Sequence, residues 1–83
     1  MKYRASFYEH GCTEEIADYV IGCGRWYQIQ NSPRQFEQVM YVGWDQYGDK
    51  LWEVALELYP EGEEDWVFHG DVATAFSIKQ VRL

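Results

Sequence analysis

Residues 37–70 read as three strands joined by two hairpin turns of the same build. Asp45, Gln46, Tyr47 and Gly48 make one turn, and Tyr59, Pro60, Glu61 and Gly62 the other. Each closes on the glycine that a type I turn followed by a G1 bulge calls for. Between them Trp52, Val54, Leu56 and Leu58 alternate with Glu53 and Glu57, which predicts one apolar face and one wet face. The strands are expected at 37–44, 50–59 and 66–70, as an antiparallel meander.

Upstream, Tyr3, Ala5 and Phe7 alternate loosely with Lys2, Arg4 and Ser6, as in a first strand or an extended arm that ends at His10 and Gly11. Thr13 is a good N-cap, and Glu14 and Glu15 put negative charge where first-turn N–H groups point. Ile16, Ala17, Val20 and Ile21 then recur at helical spacing until Gly22 or Gly24. A helix over 14–21 has about two turns and needs a sheet to pack on. Residues 25–30 read as a strand with Tyr27 and Ile29 on one face and Trp26, Gln28 and Gln30 on the other, broken by Asn31, Ser32, Pro33 and Arg34. After the meander, residues 72–76 suit the start of a second short helix with Asp71 as N-cap, while 77–83 read equally as strand or tail. The order predicts one α+β domain over 1–83, a short N-terminal helix packed on an antiparallel β-meander of three to five strands.

Composition sharpens this. Eighty-three residues give a marginal core, to which four Trp, seven Tyr and four Phe contribute area that length alone does not; a homodimer would add more. Seven Lys and Arg against fourteen Asp and Glu leave a net charge of -7, which opposes binding to phosphate backbones and favours a basic partner. No stretch reaches the roughly 18 consecutive apolar residues of a membrane span, and Met1, Lys2, Tyr3 and Arg4 open no signal peptide. Cys12 and Cys23 are therefore expected as free thiols in a cytoplasmic protein.

Few side chains suggest chemistry. His10 and His69 are the two groups that titrate near neutral pH, and neither lies in a metal-ligand spacing, so no metal or other cofactor is expected. His69 and Asp71, two apart, share a face if the last strand continues, as a general base and its orienting carboxylate would. The plainer reading has Asp71 capping the next helix and His69 satisfying its polar edge. Glu61, Glu63, Glu64 and Asp65 crowd one hairpin loop as a solvated acidic run, without the alternation of a calcium loop. Trp26, Tyr41, Tyr47 and Trp66 suit a protein-binding patch better than a base-stacking one, because no Lys or Arg is interleaved with them.

Several of these parts come in a familiar order. His10 and Gly11 precede a short helix opened by Thr13, Glu14 and Glu15, and the strand Arg25, Trp26, Tyr27 follows. A hairpin then runs from Val39, Met40, Tyr41, Val42 and Gly43 through Gly48 to Leu51, Trp52, Glu53, Val54 and Ala55, before a closing strand from Val67 to Thr74. Over most of its length the chain resembles the BrnT-like toxins of bacterial toxin–antitoxin systems, relatives of the RelE-type ribonuclease fold. The resemblance implies metal-independent cleavage of messenger RNA, with basic groups gripping the phosphate and a base assisting the 2′-hydroxyl. It makes His69, Asp71, His10, Glu15, Arg25 and Arg82 the catalytic candidates. Where such toxins often carry Lys beside the His-Gly pair and Arg along the last strands, this chain has Glu9, His69 and Asp71.

Two functions follow. One is a small acidic domain of a bacterial or phage conflict system that works by protein–protein interaction. It would use Glu53, Glu57, Glu61, Glu63, Glu64, Asp65 and Trp66 against a basic surface on an antitoxin or a nucleic-acid-binding protein. The other is an active ribonuclease toxin. Composition favours the first and topology the second; direct nucleic-acid binding and membrane association are not expected.

Overall fold

A computed structural model describes residues 1–29 and 36–83, so the strand break expected at Asn31 to Arg34 and the strand end at Gln30 lie outside the described residues. Among the described residues five strands form one sheet in the order β1-β5-β4-β3-β2. β2 (Arg25–Gln28), β3 (Gln38–Trp44), β4 (Leu51–Glu57) and β5 (Trp66–Val72) make the antiparallel meander. β1 (Lys2–Tyr3) adds to the edge of β5 in parallel, so the sheet is mixed. The fold is α+β.

The first hairpin turn forms as its sequence requires, with the Gly48 N–H donating to the Asp45 carbonyl; the second is shifted by one residue, since the Glu63 N–H donates to the Pro60 carbonyl and puts Gly62 third in the turn, within the longer connection between β4 and β5. Gly48 and Gly62 take φ of 65° and 94°, the left-handed region that other residues enter with strain. Asp45 holds the first turn from within. Its carboxylate accepts the backbone N–H groups of Tyr47, Asp49 and Lys50 and the indole N–H of Trp52. Those bonds, led by the one from Asp49, hold it below its usual pKa.

The helix α1 (Glu14–Cys23) starts at Thr13, whose hydroxyl accepts from the Ile16 N–H, and ends where the Gly24 N–H donates to the Val20 carbonyl. It has nearly three turns by its ten residues, one more than its apolar spacing suggests. Ala17 and Val20 pack on Val39, Trp52, Val54, Leu56 and Val67, with Leu58 partly buried at the margin. This is the face that the alternation along β4 assigns to the core.

Three further expectations are corrected. Residues 2–8 do not form a strand: only Lys2 and Tyr3 pair with β5, and a 3-10 helix over Ala5–His10 follows, turning Phe7 into the core. Gly70 makes that possible, since a Cβ there would stand 2.7 Å from the Phe7 ring. The second helix, α2 (Ala75–Val81), is capped by Thr74 and not by Asp71, which remains in β5; residues 77–81 are thus helix, not strand or tail. Most consequentially, Glu53 and Glu57 are not on a wet face. They are 4% and 2% exposed, because α2 and the N-terminal segment cover the second side of β4.

Leu56 is buried against α1's side of the sheet. Replacing it with Ala is expected to lower unfolding free energy by about 2 to 5 kcal/mol, a large share of a small domain's stability. Chemical denaturation measures it; a loss well below about 1 kcal/mol would show that the core lies elsewhere.

Candidate functional site

The side of the sheet away from α1 carries the polar groups. Cross-strand neighbours point the same way, so Gln38 with Glu57, Met40 with Ala55, and Val42 with Glu53 lie on this side. β5 contributes through a bulge. Ala55 pairs with His69 and Leu56 with Val67, leaving Phe68 as the extra residue. Without it Val67 and His69, two apart, would share a face. With it Val67 is fully buried in the core while His69 faces the opposite side.

His69 Nε2 lies 2.7 Å from Glu53 Oε2, and Glu53 Oε1 accepts the Thr74 N–H at 2.8 Å. Burial pushes the Glu53 pKa up. The hydrogen bonds from the Thr74 N–H, His69, and the Ser77 and Thr74 side chains outweigh that effect, and the carboxyl sits below its ordinary value. His10, at the end of the 3-10 helix, stands 3.8 Å from Asp71 through Nδ1, with its ring centre 6.3 Å from that of His69. Around these groups opens a cleft of about 560 Å³ with Ile29, Met40 and Ala55 among its apolar lining and Ser6, Glu9 and Gln38 among its polar lining. Two imidazoles, each with a carboxylate partner, can move protons there.

The predicted catalytic set is therefore gathered only in part. His10, His69 and Asp71 converge; Glu15 is exposed in the first turn of α1, and Arg25 and Arg82 meet at the far end of α2. Arg25 donates at 2.9 Å to the carbonyls of Val81 and Arg82, closing the end of that helix. The carboxylate expected to orient His69 is also different: Glu53 occupies that place and Asp71 serves His10. Sequence reasoning missed Glu53 because strand alternation put it among solvated positions. The signal available was a glutamate in mid-strand flanked by apolar residues, which in a sheet covered on both sides must find a partner.

The expected partner-binding acids divide likewise. Glu57 is committed to Arg4, whose Nε donates to it at 2.8 Å. Glu61, Glu63 and Glu64 are exposed on the β4–β5 loop, while Asp65 accepts the Tyr59 N–H at 2.9 Å. Trp66 carries the Arg4 guanidinium 4.3 Å and the Lys2 ammonium 5.3 Å from its ring centre. Both cysteines are free thiols; Cys12 is buried in the core, which pushes its pKa up to about 11 and removes it as a nucleophile. Among the described residues no group of three or more His, Cys, Asp or Glu is placed to hold a metal ion, and no helix is long and apolar enough to cross a membrane.

Glu53 generates a pH prediction. Its folded pKa lies below the ordinary value of 4.5, so the unfolded chain binds more protons in acid. The stabilisation is complete above that value and is lost as pH falls through the folded pKa. Glu53→Gln is expected to be less stable than wild type near neutrality, with the difference narrowing below about pH 5. Denaturation midpoints measured against pH test this, and curves that stay parallel would count against it. No protein-family model, curated protein or solved structure matches the chain.

Proposed function

We propose that this is a small acidic domain of a bacterial or phage conflict system, of toxin–antitoxin or inhibitor type, acting in the cytoplasm by occupying a basic site on a partner protein. The observation that carries this reading is the combination of a net charge of -7 with large exposed aromatics: Trp26 at 60%, Tyr47 at 75% and Phe76 at 66%. Two of the arginines are engaged within the fold's own contacts, Arg4 with Glu57 and Arg25 with the carbonyls at the end of α2, and the positive groups beside the acidic loop are the N-terminal ammonium, 3.9 Å from Glu64, and Lys2. Aromatic anchors with complementary charge around them are the ordinary anatomy of a protein interface, and the charge speeds encounter. The resemblance to BrnT-like toxins supplies the setting and suggests an antitoxin or a nucleic-acid-binding protein as partner.

A second reading, metal-independent ribonuclease, is favoured by one observation, the convergence of His10 and His69 in a single cleft with Glu53. Against it, no described Lys or Arg lines that cleft, so charge developing on a phosphate would find little stabilisation. Cleavage is expected to be slight.

Two measurements separate the readings. Capture of a partner from host lysate is expected to weaken with salt, and changing Glu61, Glu63 and Glu64 together to Gln should reduce both the affinity and its salt slope. Unchanged affinity and slope would remove the loop from the interface. In parallel, RNA incubated with the protein in a chelator should be cut weakly. Any cleavage seen should drop by about two to four powers of ten in His69→Gln. Robust cutting by wild type would overturn the non-catalytic reading.

A further inference from the structure

We propose that the outer edge of β2 is a self-pairing surface, on which a second copy of this chain adds its own β2 antiparallel and joins the two sheets edge to edge. β2 ends the sheet, with β3 on its inner side. Antiparallel partners exchange bonds at alternate residues. The Ile29 N–H donates to the Gln38 carbonyl at 2.9 Å, and in the register that pairs Tyr27 with Met40 and Arg25 with Val42 this alternation spends Arg25, Tyr27 and Ile29 on β3. The N–H and C=O groups of Trp26 and Gln28 therefore point outward, and among the described residues they have no partner. They are self-complementary. A pair centred on Tyr27 sets Trp26 against the second copy's Gln28 and the converse, so each outward donor meets an outward acceptor. A pair centred on Trp26 would call on Gly24, whose N–H is already given to the Val20 carbonyl at 2.7 Å.

Side chains and charge suit the same occupant. Exposed edges are commonly blunted by Lys, Pro or a bulge, and β2 has none of these over Arg25–Gln28. The exposed Trp26 stands on one face, and on the other Tyr27 packs against the exposed Phe76 with ring centres 6.3 Å apart. Two-fold pairing brings Tyr27 up against its counterpart, as cross-strand aromatics favour. Residues 19–36 and 72–83, which include β2 and α2, hold none of the chain's fourteen Asp and Glu; their charged side chains are Arg25, Arg34, Lys79 and Arg82. Contact at this edge thus keeps the acids of the two copies apart. β1, at the opposite edge, is two residues long and offers no comparable ladder. The inference goes beyond the partner reading and leaves it Tyr47 and the acidic loop, which joins β4 to β5 on the far side of β3.

Sedimentation of the full chain is expected to show a mass that rises with concentration toward twice 9.9 kDa. Because each copy carries -7, added salt should strengthen this association, whereas it weakens capture of a basic partner, so the two readings fail separately. Gln28→Pro deletes the outward N–H and costs the ladder with β3 no bond; it should weaken the dimer by about ten- to a hundredfold, the worth of two hydrogen bonds. Amide exchange adds a test that needs no variant. In concentrated wild type the Trp26, Tyr27 and Gln28 amides should all exchange slowly; on dilution Trp26 and Gln28 should become fast while Tyr27, bonded to β3, stays slow. A chain that is monomeric at every concentration and salt overturns the proposal and leaves the edge to a strand of another protein. So does a dimer whose Trp26 and Gln28 amides remain fast, or one that folded Gln28→Pro forms as tightly as wild type.

Discussion

The fold depends on burying two carboxylates on its central strand, Glu53 in mid-strand and Glu57 at its end. Glu53 and Glu57 sit on β4 at 4% and 2% exposure, where an unpaired charge is expensive enough to unfold a domain of this size. Each is answered from a different part of the chain. His69 on β5 and Thr74 before α2 serve Glu53; Arg4, between β1 and the 3-10 helix, serves Glu57. The second layer of the fold is therefore held on by polar bonds to β4, whereas α1 on the first side is held by aliphatic packing.

This division organises the peripheral elements. Arg4 reaches Glu57, the Tyr59 hydroxyl and the face of Trp66, fastening the chain's first residues across the end of the sheet. Thr74 has two tasks: its hydroxyl caps α2 by accepting from the Ser77 N–H, and its own N–H bonds Glu53. The same residue thus ends the irregular segment after β5, starts the helix and ties both to the central strand. Tyr27 and Arg25 complete the attachment, through the Ser77 hydroxyl and the α2 carbonyls.

What could be read in the sequence was local. The turn glycine at 48, the Thr13 cap and the apolar alternation of Trp52, Val54 and Leu56 depend on near neighbours, and each stands where it was expected, whereas the turn at Gly62 is shifted by one residue in a longer loop. Glu53 and Glu57 were misread because period-two alternation marks two faces without saying whether the second meets water or another layer. The cap moved from Asp71 to Thr74 because β5 runs on to Val72, and strand pairing outweighed a local capping preference. Of the site, both histidines and Asp71 were legible as residue types that titrate or orient. Their pairing was not, since it depends on the register between β4 and β5.

The bulge at Phe68 works as a phase shift in a two-letter code. β5 carries two messages: on one side of the bulge Val67 is written for the core, and on the other His69 is written for the cleft and Asp71 for the same face, with Gly70 between them yielding to Phe7. Removing that one residue would leave the hydrophobic lettering of the strand almost unchanged while reversing which half of it faces inward. Descent with substitution alone can therefore tune this cleft gradually, whereas a single-codon deletion at 68 forces the strand to choose between its core and its histidine.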